Sequence, residues 1–600
     1  MGAARSSLAM HLTALDWGIV AVYFAVCLAV GVIFSGRASE STDSYFISGR
    51  HLPWWLLGTS MVATTFASDT PLAITEFLRV GGIWKNWYWW SLGMGSMLGV
   101  FLFAPLWRRV GVLTDNELIE LRYEGRPAAF LRGFKALYFS IGYNLIVMGW
   151  VIKGIGTMTA VLLDVPEGPA IGVCLAITMI YTLSSGFWGV VVTDLLQFGV
   201  AMAGSLVLAF FAVSHLGGMA ALLSKLQSLP GFHPETLHFL PAADLSSIHT
   251  PFSEIMIYVC LLWWSSHDAD GGGYVIQRML SAKNERHALL GTLWFYLAHY
   301  ALRVWPWIIV GLASMALFPD LSTHAFKDKA GYPLVMKAVL RPGYAGLMVA
   351  YFFGAFMSTI DTHVNWSTSY LIHDVYRRFI RPSAPEKHYV FVARLAGAAI
   401  AVAAAYVAVY WIDSISQAWQ FIYLMGSGVG LVLIGRWFWW RVNAYSEIAA
   451  LASSLTLTIG WLCLGRLMPE ADFMGYPLAS TPLHVKAVVV VPVSIAVWVS
   501  ATLLTAPVSM EKLERFYRLA RPGGLWGPVT RGEKYGGEIL GWDFLAKWLG
   551  GLLLIYGALF GLGHLVFLRW KEGSLLLAMA AAAGAWLFTL MEPQREELGP

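Results

Sequence analysis

The sequence predicts an all-α polytopic membrane protein of about fifteen transmembrane helices, organised as two inverted five-helix repeats. Three observations carry this expectation. Of 600 residues, 58% are hydrophobic and only 13% charged, with a mean hydropathy of +0.62, whereas soluble domains carry about 25% charged residues. Apolar runs long enough to cross a bilayer recur from end to end. Two of them, the second and the seventh, are interrupted by residues that do not hold a regular helix. This composition excludes a soluble enzyme, a disordered chain and a disulfide scaffold. The net charge of +4 implies no nucleic-acid partner, and the lipid bilayer is the partner the composition requires.

The runs fall at 16–36, 53–80, 86–106, 134–162, 168–184, 188–214, 253–276, 289–318, 345–373, 389–411, 416–435, 445–464, 484–505, 546–568 and 573–591. No soluble domain fits between them, so 1–600 reads as one transmembrane domain. It divides into a peripheral first helix (16–36), repeat one (53–214), repeat two (253–435) and peripheral C-terminal helices (445–591). Trp clusters at Trp54–Trp55, Trp84–Trp90 and Trp437–Trp440 close apolar runs, as interfacial belts do. Cys27, Cys174, Cys260 and Cys463 lie singly inside apolar runs and read as small buried hydrophobes. Arg37 and Arg50 follow the first run without an A-x-A-like site, which predicts an uncleaved anchor. The start MGAARS matches a myristoylation pattern, a short and weakly specific one.

Lys and Arg concentrate in alternate loops. With the N-terminus outside, the inner loops hold Arg37 and Arg50, then Arg108, Arg109, Arg122, Arg126, Arg132 and Lys135. Arg278, Lys283 and Arg286 follow, then Arg377, Arg378, Arg381 and Lys387, Arg436 and Arg441, and a group from Lys512 to Lys534. The outer loops hold fewer, so the positive-inside rule predicts an inner-membrane or plasma-membrane protein with N-terminus out and C-terminus cytoplasmic. In 507–522, Leu513, Phe516, Tyr517 and Ala520 recur at helical spacing. Two readings stay open, a helix lying on the inner leaflet and a plain connector.

The interruptions locate function. In the second run, Ser68-Asp69-Thr70-Pro71 breaks an apolar stretch, and Pro71 removes a helical amide donor. In the seventh, Ser265-Ser266-His267-Asp268-Ala269-Asp270 precedes Gly271-Gly272-Gly273. Backbone freed at membrane depth must line a cavity or be buried in protein. Paired breaks at corresponding places in two halves are the mark of a secondary transporter. In the ninth run, Ser358, Asp361 and Thr362 share a helix face, with Thr359 on the same turn as Ser358. Hydroxyls there ordinarily bond a neighbouring helix, but a mid-helix carboxylate costs roughly 2.5–3.5 kcal/mol on insertion scales and marks function.

Four stretches resemble the sodium/solute symporter family, which includes sodium/glucose, sodium/proline and sodium/sialic acid cotransporters. They are DSYFISGRHLPWW (43–55) with the SMVATTFASD helix after it, YTLSSGFWGVVVTDLLQ (181–197), QRMLSAKNERHA (277–288) and FFGAFMSTIDTHVNWSTSYLIHDVYRRF (352–379). The resemblance covers about 16–440 and implies a LeuT-type fold with sodium as the coupling ion. It places the family's sodium site on the carbonyls of Ala63, Phe66 and Ala355 and the hydroxyls of Ser358 and Thr359. A second cation site used by some members falls on Asp194, Ser358, Asp361 and Thr362, with Asp361 in place of a hydroxyl residue. Asp69 falls where proline transporters carry an acidic residue needed for sodium. Whether the second carboxylate strengthens a cation site or takes a proton stays open at this point.

At the positions of the family's sugar-binding residues, this chain has Thr70, Trp89, Ser265 and Asp268, with Gln420 kept and Arg303 offset by one. Most of the hexose hydrogen-bonding set is lost. Lys153, Arg303, Asp268, Asp270 and Glu76 bring charge into apolar runs, either as internal ion pairs or for a charged or zwitterionic solute, with His267 and His299 adding hydrogen bonds. There is no zinc spacing, P-loop or nucleophile elbow, and no enzyme is predicted. The expected activity is sodium-coupled symport of a small polar organic solute by alternating access. A proton-coupled carrier on the same fold and a transporter-like sensor are the alternatives, the sensor disfavoured because the chain reads through to Pro600 without a signalling domain.

Overall fold

The computed structural model describes residues 12–38, 46, 50–533 and 536–591, without the side chains of 31, 32, 34–38, 181 and 183–186. The MGAARS start, Lys534, most of 43–49 and the Arg37 side chain lie outside this description. Among the described residues, eleven helices are long and apolar enough to cross a membrane, and Ala14–Val30, Glu167–Ile180 and Pro251–Ser265 are shorter apolar helices. The second run falls outside these because its break divides it into two 12-residue helices.

The elements that build the site are α1 (Ala14–Ala38), α2 (Trp54–Thr65), α3 (Thr70–Gly81), α4 (Asn144–Leu163), α5 (Glu167–His215), α6 (Gly273–Ser281) and α7 (Tyr344–Tyr370). Behind them stand α8 (Ile415–Gly426), α9 (Gly430–Phe438), α10 (Ala444–Leu467) and α11 (Met510–Ala520). The sequence divides 168–214 into two spans, whereas the structure draws one helical run, α5, 49 residues long.

Both interruptions are present. The first lies between α2 and α3: Ser68 Oγ donates to the Val151 carbonyl at 3.0 Å, anchoring the opened strand on α4, and Pro71 stands in the first turn of α3. Gly154 lets α4 approach this closely, since a Cβ there would lie 2.9 Å from Asp69 Cα. The second spans Ser266–Gly272, where Gly271 and Gly272 take φ of +124° and +73°. That left-handed backbone suits glycine alone. At Gly430 of α9 a Cβ would meet the Trp264 carbonyl oxygen at 2.2 Å, so α9 packs directly on the opened segment.

α7 runs through the centre, against α1, α4 and α5, and is buried along most of its length. The C-terminal pair Trp542–Val566 and Trp570–Met591 pack on each other. The first of these braces the third run, where Tyr556 donates to the Trp90 carbonyl at 2.7 Å and Trp548 to the Met94 carbonyl at 3.0 Å.

Many basic residues assigned to inner loops are buried and paired instead. Arg122, Arg278 and Arg436 are fully buried, and Arg132 and Lys135 nearly so. Arg436 bonds Asp270 at 2.5 Å and Glu447 at 3.5 Å, and Arg132 bonds Asp374 at 2.8 Å. α11 is no leaflet helix: Leu513, Phe516, Tyr517 and Ala520 are covered by protein, and the Arg122 guanidinium lies 5.5 Å from the Phe516 ring. Cys27 and Cys174 are buried, while Cys260 and Cys463 are exposed rather than buried as expected.

Candidate functional site: a cation cluster beside an aromatic cavity

Where α2 ends, its last carbonyls face α7. Ser358 Oγ donates to the Ala63 carbonyl at 2.9 Å and the Ala355 carbonyl at 3.3 Å. Thr359 Oγ1 donates to the Ala355 carbonyl at 3.0 Å and the Thr64 carbonyl at 2.8 Å. Four of the five groups assigned to the sodium site thus converge on one spot. Phe66 caps the end of α2 at the break itself. Its ring packs edge-on to Trp307 at 4.7 Å and Tyr351 at 5.6 Å. Such a cluster of carbonyl and hydroxyl oxygens between a broken and a continuous helix suits a hard cation.

The second cluster differs from expectation. Asp194, Asp361 and Thr362 do lie together, fully buried, but the Arg278 guanidinium is among them. Arg278 donates to Ser60 Oγ at 2.9 Å, Thr64 Oγ1 at 2.9 Å and Thr362 Oγ1 at 2.7 Å, and reaches Asp194 Oδ2 at 3.5 Å. Ser60 also donates to Asp194 at 2.5 Å. A protein cation therefore takes oxygens that the sequence reading gave to a bound one. Neither Asp361 oxygen has a hydrogen-bond partner in this arrangement. Arg278 looks like a loop charge in sequence, because it stands one turn before the hydrophilic stretch Ser281–Asn284. Only the fold of α6 shows that its side chain points back into the bundle.

The two breaks and α7 enclose a cavity of about 310 Å³, at the small end of the range for organic ligands. Thr70, Trp89, His267, Asp268 and Arg303, expected as substrate residues, line it, and so does Asp69, which the sequence reading gives to a cation site. So do Tyr143, Trp150, Trp263, Tyr274, His363, Trp366 and Trp419, which sequence reasoning did not single out. Aromatics inside an apolar run carry no signal that distinguishes a cavity wall from core. Tyr143, His299 and Tyr300 sit on widened π-helical turns, a local geometry that recurs at functional sites.

Three expected substrate residues stand elsewhere. Lys153 pairs with Glu167 at 2.9 Å, away from the cavity. Ser265 is turned to the Tyr423 hydroxyl at 3.1 Å. Gln420 gives way to its neighbour Trp419, because on a helix adjacent residues face about 100° apart. Asp270, bound to Arg436, is structural.

Arg303 is the cavity's cation. It is 2% exposed, its Nη2 lies 2.5 Å from His299 Nδ1, and its guanidinium stacks on Phe66 and Trp307 at 5.6 and 5.2 Å. It has no carboxylate partner among the described residues, and its Nη1 lacks a hydrogen-bond partner.

A cavity between two broken helices, with a cluster of carbonyl and hydroxyl oxygens against it, is the arrangement of a secondary active carrier. Residues 45–456 match the sodium:solute symporter family, and the chain belongs to that family. It is 26% identical over 543 residues to sodium/glucose cotransporter 4 of Danio rerio, covering 84% of this chain and 81% of that one. A sodium/glucose cotransporter of Vibrio parahaemolyticus is 24% identical over 511 residues, covering 79% and 90%. Among solved structures, the substrate-bound outward-open state of a Na+-coupled sialic acid symporter superposes with a TM-score of 0.67 at 20% identity, over 83% of this chain and 99% of that one. The fold is therefore the LeuT-type fold, in an integral membrane protein. The activity is sodium-coupled symport of a small solute.

Proposed function

We propose that the cotransported solute is a polar organic molecule with an anionic group, held by Arg303 in the cavity between the two breaks. The observation that carries this is the Arg303 guanidinium, buried in the cavity without a carboxylate partner among the described residues. An uncompensated charge at membrane depth is costly and is kept for recognition, and arginine's planar fork matches a carboxylate. Sodium binds at the carbonyls of Ala63, Phe66 and Ala355 and the hydroxyls of Ser358 and Thr359, joining α2 to α7. It thereby favours the outward-open state, and solute then permits closure. Repeat one spans 53–214 and repeat two 253–435, with the N-terminus outside and the C-terminus cytoplasmic.

Hexose recognition needs neutral and acidic hydrogen-bond partners, and here Trp89 stacks on Tyr300 at 5.6 Å while Ser265 is turned away. Sodium-driven uptake into proteoliposomes should therefore favour organic acids over glucose and galactose, and Arg303→Gln should lower it at least tenfold. Saturable glucose uptake that survives Arg303→Gln would overturn the assignment.

A further inference from the structure

The cavity that holds Arg303 also holds a carboxylate, Asp268, that no Lys or Arg neutralises among the described residues. Residues 265–267 and 269–272 are buried, yet Asp268 between them is exposed, and it lines the cavity. Its side chain is 56% exposed. Neither Lys nor Arg pairs with it among the described residues. Its neighbour is His267, whose Nε2 lies 3.0 Å from Asp268 Oδ1 and orients the carboxylate. The backbone reinforces the placement: a Cβ on Gly272 would lie 2.2 Å from Asp268 Oδ1.

Aromatic rings gather around His267, the residue next to Asp268. The rings of Tyr143 and His267 are 4.5 Å apart, Tyr143 and Trp366 6.2 Å, and Tyr274 and Trp366 6.4 Å. All four residues line the same cavity. A carboxylate set among Tyr and Trp faces is the chemistry that recognises an ammonium group, by charge and by cation–π attraction together. One cavity of about 310 Å³ thus holds the Arg303 guanidinium, which makes no ion pair among the described residues, together with two carboxylates, the buried Asp69 and the exposed Asp268 beside His267.

We propose that Asp268, with Tyr143, Tyr274 and Trp366, forms an ammonium-binding subsite, and that the cotransported solute is a zwitterion of amino-acid size. This rests on the reading that Arg303 takes the solute's anionic group. The ammonium occupies the Asp268 pole and the carboxylate the Arg303 pole, so the solute neutralises both when it binds.

The test uses the full-length protein in nanodiscs and sodium-dependent thermal shift. The panel holds the common amino acids and betaines, their des-amino acids, their decarboxylated amines, and glucose and galactose. At least one zwitterion should bind about tenfold or more tighter than its des-amino acid. Asp268→Asn should abolish that preference while des-amino acids bind as before. Tyr143→Leu, which leaves every charge in place, should weaken zwitterions several-fold and spare des-amino acids, and it serves if Asp268→Asn fails to fold. Des-amino acids that bind as tightly as zwitterions, and lose binding in Arg303→Gln, would overturn the ammonium subsite and leave the anion reading standing. Sugar binding untouched by Arg303→Gln would overturn both, and a panel without any sodium-dependent shift would overturn the subsite.

Discussion

Thr359 Oγ1 lies between the Ala355 and Thr64 carbonyls, so its hydroxyl serves two helices at once. Thr359→Val keeps the shape and removes one oxygen. Loss of an ion's ligand costs at least about 1.4 kcal/mol, which is tenfold in affinity, so the sodium concentration for half-maximal uptake should rise tenfold or more. Unchanged sodium dependence in a well-folded variant would remove Thr359 from the site. Arginines at membrane depth divide by their surroundings. Arg278 is surrounded by hydroxyls and Asp194 and is held by structure, whereas Arg303 faces a cavity with His299, Phe66 and Trp307 beside it and no ion pair among the described residues. Both are buried arginines within or beside apolar runs, and burial alone does not tell them apart.

At the scale of elements, one carboxylate anchors the start of α11. The Ser509 amide and hydroxyl both donate to Glu124 at 2.7 Å, at the start of α11. These hydrogen bonds hold the Glu124 carboxyl below the usual glutamate range. A depressed carboxylate contributes stability that is fully present above its unfolded value, about pH 4.3. The contribution is lost as pH falls through the folded value. Amides at the start of α11 should therefore exchange faster, relative to those of α7, as pH falls below about 4, and Glu124→Gln should show the faster exchange already at neutral pH. Equal protection in variant and wild type at neutral pH would show that the apolar face alone docks α11. The two breaks were legible as elements because Pro71 and three consecutive glycines are local backbone signals. The fate of the 507–522 helix was not, because its apolar stripe fits a protein groove as well as a lipid surface.

Across the whole molecule, Arg436 joins parts distant in the chain. From α9 it binds Asp270 in the second break and Glu447 on α10, while Lys135 lies 3.8 Å from Glu447 and Trp107 donates to the Asp270 carbonyl at 2.7 Å. Removing one member of a buried ion pair leaves an uncompensated charge and costs about 3–5 kcal/mol. Arg436→Met should lower the unfolding midpoint markedly, and Arg436→Met with Asp270→Leu should recover part of the loss. A single variant as stable as wild type would mean that this network contributes little to cohesion.

The sequence by itself determined the membrane class, the two breaks and the side chains beside the first of them. Each of these rests on local signals: hydropathy over one run, a proline, a glycine triplet, hydroxyls one turn apart. It also carried the family, through short ordered stretches such as QRMLSAKNERHA. Tertiary structure alone decided which charges pair and which remain open to the cavity. In sequence Lys153 is equivalent to Arg303, and the structure sets Glu167 beside it; Arg278 reads as a loop charge, and α6 turns it toward Ser60 and Thr362. The physical reason is that partners of a buried charge stand 80 or more residues away in several of these cases, as with Arg278 and Asp194 or Arg436 and Asp270. No local pattern encodes such a contact, and only helix packing brings the two ends within hydrogen-bonding distance.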